Sequence, residues 1–265
     1  DIFVEGETDA RLIEHHRAFA NRPTANLLPV SHITTSDTLL AEVCDVTLRE
    51  SGNRGKVIAI VRSVNARFAS RPMRFVGVVD ADLDAFCGRA SDDHILRTDF
   101  TDLGMYYYST STAIDIITRN LNVSRTSAST VVASIEDAAR DLFAIQIAKH
   151  RLLLNFARVN LRRYLTISQE AFLFNLRAYI DISVQGLRPD AKVAFENAFL
   201  AARAALNGVD IRSTARSHDL FGLLSFYFRR VSGNAAFGSE EAVATIFLSG
   251  LDLSLLQQYE LFQKI

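Results

Sequence analysis

The chain has 265 residues, 49% of them hydrophobic and 22% charged, enough for one large domain or two modest ones without a disulfide or metal staple. That composition excludes an intrinsically disordered chain. A formal net charge of -1 excludes a whole-protein basic field, so any nucleic-acid contact must use a local patch. Lysine occurs only at Lys56, Lys149, Lys192 and Lys264, and the rest of the 29 basic residues are Arg. Arg suits bidentate phosphate contacts, and an Arg-biased genome gives the same excess.

Cys44 and Cys87 are too few for a disulfide framework and have no partner at zinc-ligand spacing, so a reduced, cytoplasmic setting is expected. No apolar run reaches the length of a membrane span, and no signal peptide is visible. The chain opens without Met almost directly into a strand-like run, so further residues are expected upstream.

In chain order, Ile2-Phe3-Val4 reads as a short strand ending at Glu5-Gly6. Thr8 is placed to cap a helix carrying Leu12, Ile13 and Phe19, in which His15 and His16 are expected at the surface. Leu27 to Val30 reads as a second, weaker strand, and Ser36 as the cap of a helix with Leu39, Leu40 and Val43. A further helix follows Gly52 and carries Val57, Ile58, Ile60, Val61, Val64 and Phe68. Phe75 to Val79 is continuously apolar, as a strand buried on both faces requires, and it stops at Asp80. His94 to Thr98 is a fourth short strand. Strands alternating with helices imply a parallel sheet covered on both sides.

The second half changes character. Ser109 to Thr112 and Ser124 to Thr130 are polar and turn-prone. Beyond them the spacing is helical: about Val132 to Val159, then a helix after Ser168 with Phe172, Leu173, Leu176 and Tyr179. Further helices are expected from Pro189 towards Gly208, from Asp219 towards Gly233, and from Ser239 to Gly250. The expected division is an α/β domain over 1–122 and a helical region over 123–265.

Two acidic motifs could carry chemistry. Val4-Glu5-Gly6-Glu7-Thr8-Asp9 puts a carboxylate where a first strand ends, and open α/β sheets bind ligands outside the carboxyl ends of their strands. Asp80-Ala81-Asp82-Leu83-Asp84 follows the buried strand, and on extended chain Asp80 and Asp82 point to one side, with Asp84 able to join. Like charges that close call for a cation, and hard oxygen ligands suit Mg2+. The competing reading is an acidic turn that caps the next helix.

A strand ending in Glu-Gly, then helices, then a strand ending in Asp-x-Asp resembles the TOPRIM domain over about residues 2–100. The resemblance implies that Glu5 lies beside Asp80 and Asp82, Glu5 being a metal ligand or general acid/base and the aspartates holding Mg2+ or Mn2+; from the acidic motifs themselves, Asp84 is a further metal candidate and Asp9 a further candidate site residue. His94 to Leu103, with its Thr98-Asp99-Phe100-Thr101-Asp102-Leu103 segment, looks like one bacterial TOPRIM family of antiphage effectors, which includes AriB of the PARIS defence system. Ser217-His218-Asp219-Leu220 is similar to that family's Gly-His-Asp-Leu segment. Gly104 stands where the family usually carries Glu, so Asp99 or Asp102 would have to substitute. His218 and Asp219 also read as a helix-capping pair.

What the resemblance implies is a metal-dependent nuclease, the toxic effector of a defence system, cleaving RNA (tRNA included) or DNA and held silent by an ABC-class ATPase partner. The alternative is a catalytically weakened assembly module that binds the ATPase or nucleic acid without cleaving. Strand passage and primer synthesis rank below both, because the chain lacks the DNA-gripping domains and zinc element they use. The aromatic run Met105 to Tyr108 could stack bases, and Arg162-Arg163 and Arg229-Arg230 could grip phosphate. The apolar faces carrying Phe221, Phe226, Phe228, Phe237 and Phe247 could form a homodimer or ATPase interface, and no membrane contact is expected.

Overall fold

The computed structural model describes residues 1–34, 52–69, 75–87, 94–155, 159–168, 170–233 and 237–265. The helix expected from Ser36 lies outside the described residues. The chain divides into two compact units, one formed by Asp1–Leu103 with Asp252–Ile265 and the other by Gly104–Leu251. The first unit therefore ends near residue 103 rather than 122, and it includes the C-terminal residues as well.

The first unit is built on four parallel strands, β1 (Ile2–Val4), β2 (Leu27–Pro29), β3 (Val76–Val79) and β4 (Ile95–Arg97), in the spatial order β2-β1-β3-β4. Phe3 pairs with Leu28 on one side and Gly77 on the other, and Val79 pairs with Arg97. Helix α1 (Glu7–Phe19) leads from β1 to β2, and α2 (Asn53–Arg67) precedes β3. Val57, Ile58, Ile60 and Val61 of α2 pack on Phe3, Val30, Phe75, Val79 and Ile95. Gly77 makes that approach possible: a Cβ there would lie 2.6 Å from Val57 Cγ1 and 2.8 Å from Ile95 Cδ1. A short helix α3 (Asp84–Cys87) follows the acidic loop.

Two local expectations change. Gly6, not Thr8, is the N-cap of α1, because the Asp9 carboxylate reaches back to the Gly6 N–H at 2.9 Å. His16 is fully buried, its ring 4.7 Å from that of Phe262, whereas His15 is exposed as expected.

The second unit holds α4 (Thr110–Leu121), α5 (Arg125–Arg151), the antiparallel pair β5 (Leu165–Ile167) and β6 (Phe172–Phe174), α6 (Leu176–Ser183), α7 (Pro189–Ala205), α8 (Ser217–Ser232) and α9 (Glu240–Ser249). The polar stretches read as turns are helix starts: the Ser109 hydroxyl accepts from the Thr112 N–H, and that of Ser124 from the Ser127 N–H. Ser168 caps nothing. It sits in the β5–β6 connection, bonded to the Ala171 carbonyl, and Asn175 caps α6 instead. Phe172 is buried and Leu173 exposed, the alternation of a strand rather than a helix. Pro189 opens α7, Ser239 caps α9, and Gly233 ends α8 at φ 64°, in the left-handed region that glycine tolerates best. Among the described residues no helix is long and apolar enough to cross a membrane.

Candidate active site

Both acidic motifs end at the same edge of the sheet. β1 and β3 are neighbours, but the chain leaves β1 towards β2 on one side, while β3 and β4 lie on the other. The loops after β1 and β3 therefore diverge and open the crevice in which doubly wound sheets bind their ligands. Glu5 and Asp80 stand at that point, and Glu5 Oε1 accepts the Asp80 N–H at 3.1 Å.

The Asp80 loop is held from two sides. Thr98 Oγ1 accepts the Ala81 N–H at 2.8 Å and donates to the Phe100 carbonyl at 2.6 Å. The Asp82 N–H donates to the Thr101 carbonyl at 2.7 Å, and Asp80 Oδ1 accepts the Leu103 N–H at 3.2 Å. From α2, the buried Arg54 donates to the Asp80 carbonyl at 2.5 Å and to Asp84 Oδ2 at 2.6 Å. Arg97 Nε, at the end of β4, reaches the same Asp84 oxygen at 3.1 Å.

This arrangement redistributes the expected ligands. Asp84 is buried between two guanidinium groups, and its place is structural. Asp82 takes a left-handed conformation, φ 43°, so the extended alternation that would align it with Asp80 is lost. Its carboxylate lies 3.6 Å from Arg54 instead. Asp80 feels Asp102 most strongly among its charged neighbours, then Glu5 and Asp9, and Asp82 least. Asp102 thus joins the acidic group. Asp99 does not: its two carboxylate oxygens accept the Glu260 and Leu261 N–H groups and cap α10 (Glu260–Lys264).

Burial dominates the electrostatics. It pushes the Glu5 carboxyl up to about 7, with Asp82 and Asp9 adding to the rise and the Asp80 N–H and Arg54 opposing it. Burial, then Asp102 and Glu5, hold Asp80 well above the usual carboxylate range. Asp9 is raised to about 6 for the same first reason. Such a cluster calls for a shared proton or a cation.

Among the described residues no set of three or more His, Cys, Asp or Glu side chains is placed to hold a metal ion, so the four-carboxylate set Glu5, Asp80, Asp82 and Asp84 is not assembled. The donor chemistry that remains fits Mg2+ in its other mode. That ion commonly takes one or two protein carboxylates and completes its shell with water and substrate phosphate. Glu5 and Asp80 supply two.

His218 and Asp219 belong to the second unit, in the first turn of α8. His218 Nδ1 meets Glu240 Oε2 at 2.5 Å, and this bond raises its pKa. Asp219 pairs with Arg216 at 3.0 Å. Both line a cavity of about 550 Å³ together with Lys149 and Arg162. The run Met105 to Tyr108 is buried in the same unit, Tyr107 stacked on Phe221 and Tyr108 on Phe247, so it offers no ring to a base. Phe221, Phe228, Phe237 and Phe247 are likewise buried within the unit, while Phe226 is half-buried beside a cavity.

Arg54 and Arg97 are the site residues that sequence reasoning missed. The only signal for Arg54 was its place at the start of a helix behind Gly52. No protein-family model matches the chain, and no curated protein matches it.

Proposed function

We propose that the protein is a Mg2+- or Mn2+-dependent phosphodiester hydrolase of the TOPRIM type. The observation that carries this reading is the contact of Glu5 with the Asp80 backbone at the switch point of the parallel sheet. Asp80 and Glu5 would hold the ion, which when bound polarises a phosphate and acidifies water. The Asp80 loop is kept in place by Arg54 from behind and by Thr98 from the side, so its carboxylate is presented on a rigid support. Without the ion, burial holds the Glu5 carboxyl up at about 7, so Glu5 would release its proton on binding the ion. Asp102 raises the negative field that would retain the ion.

The resemblance of residues 94–103 extends the proposal to a toxic antiphage effector that cleaves RNA, tRNA included, or DNA, and is restrained by an ABC-class ATPase. A second reading, an assembly module without cleavage, draws support from the arginine pairing of Asp82 and Asp84 and from Gly104. The two are separated by incubating purified protein with RNA and DNA in Mg2+, Mn2+ or EDTA. Metal-dependent cleavage lost in both Asp80→Asn and Glu5→Gln supports the hydrolase. Cleavage that survives Asp80→Asn, or no cleavage with any metal, overturns it.

A further inference from the structure

A different feature lies in the second unit. Arg162 stands in the turn that enters β5, and Arg229 and Arg230 stand in the last turn of α8. These positions are far apart in sequence, yet all three line one cavity of about 620 Å³ with Phe226 and β5. That volume lies in the range of small-ligand sites, about 300–1,000 Å³.

Among the described residues, the cavity lining contains no acidic residue. Among the described residues, no carboxylate pairs with Arg162, Arg229 or Arg230. Several other arginines of the unit are neutralised, among them Arg203 by Asp137 and Asp141, Arg212 by Asp210, and Arg216 by Asp219. Two basic residues at a helix C-terminus are explained by the helix dipole, but the dipole does not explain a third arriving from another element. Arg162 lies over the Phe226 ring, 4.3 Å from guanidinium carbon to centroid. That contact orients a guanidinium plane without cancelling its charge, and its N–H edges stay available for an anion. Three uncompensated guanidinium groups around one cavity repel one another, and a polyanion relieves that repulsion.

We infer that the Arg162–Arg229–Arg230 cavity is a second phosphate-binding site, built for two or more adjacent phosphates such as those of a free nucleoside triphosphate or of a single strand's backbone. Arg groups recognise phosphate oxygens bidentately, and Thr166 on β5 supplies a hydroxyl within the same lining. The site uses no residue of the acidic cluster and stands whether or not the hydrolase reading does.

The test uses the full chain carrying Asp80→Asn, in EDTA, so that cleavage cannot enter the readout. Binding of a fluorescent single-stranded RNA of about 12 nucleotides is followed by polarisation, and ATP binding by calorimetry. Arg229→Gln/Arg230→Gln and Arg162→Gln are compared with Arg188→Gln, whose guanidinium is exposed and paired with Asp190. Circular dichroism confirms that each variant is folded. The expected result is a loss of tenfold or more in the cavity variants, none in Arg188→Gln, and a salt dependence shallower by about one unit of slope per lost phosphate contact. Binding of RNA with ATP a weak competitor identifies a strand site, and ATP binding without RNA binding identifies a nucleotide site. No binding of either probe by the parent chain, or equal affinity in folded cavity variants, overturns the inference.

Discussion

Glu5→Gln is the substitution that most directly reports the electrostatics of the acidic crevice. The folded protein keeps a proton on Glu5 until about pH 7, whereas the unfolded chain releases it near 4.5. Between those values the folded state binds more protons, so stability falls as pH rises through the window, and the deficit is complete above it. The interval corresponds to up to about 3 kcal/mol at roughly 1.4 kcal/mol per pH unit. Glutamine keeps an oxygen for the Asp80 N–H, and the net shift already includes that bond's preference for the carboxylate. The variant should therefore come close to wild type at pH 4.5 and exceed it by up to about 3 kcal/mol at pH 8 in EDTA. At roughly 2–4 °C per kcal/mol for a chain of this length, that gain amounts to a melting-temperature rise of roughly 6–12 °C. Urea titrations at both pH values, with melting curves, make the measurement. Mg2+ at pH 8 should then stabilise wild type more than the variant. Parallel pH profiles for the two proteins would refute the buried-cluster account, whatever the outcome of the cleavage assay.

Three other outcomes follow from single contacts. Arg54→Gln removes one buried partner of Asp84 and the donor to the Asp80 carbonyl, and should cost about 3 kcal/mol in urea denaturation; a loss below about 1 kcal/mol would mean that Arg97 alone suffices. Gly77→Ala places a methyl against Val57 and Ile95 and should destabilise by roughly 1–3 kcal/mol, whereas an unchanged denaturation midpoint would show that α2 can retreat freely. Asp99→Ala uncaps α10 and should cost about 1 kcal/mol, with faster amide exchange confined to Glu260 and Leu261; unchanged stability and exchange would show that Asp99 does not hold that helix end.

Local structure was legible from the order of the residues alone. Continuous apolar residues at 2–4 and 77–79 are buried and specify central parallel strands. Pro189, Ser239 and Gly233 mark helix ends because their backbone and side-chain chemistry acts within a few residues. The acidic ends of β1 and β3 were visible for the same reason. Failures of the local reading occurred where a tertiary contact overrode it. Ser168 reads as a cap in sequence, but the pairing of Leu165–Ile167 with Phe172–Phe174 makes 172–174 a strand, and the helix starts only after Asn175. His16 looked like a polar helical position and is buried because the C-terminal Phe262 packs on it.

The composition of the site was a tertiary decision. Asp80, Asp82 and Asp84 are equivalent in spacing, yet it is the Asp80 backbone that Glu5 bonds, while Asp82 and Asp84 lie against Arg54. Arg54, from a helix that precedes β3, draws in Asp82 and Asp84, and the left-handed turn at Asp82 breaks the alternation. In the same way Arg162 and the pair Arg229-Arg230 were separate charges in sequence and became one cavity lining on folding. Side-chain charge acts through space over a few ångströms, and the distances that decide which charges meet exist only in the folded chain.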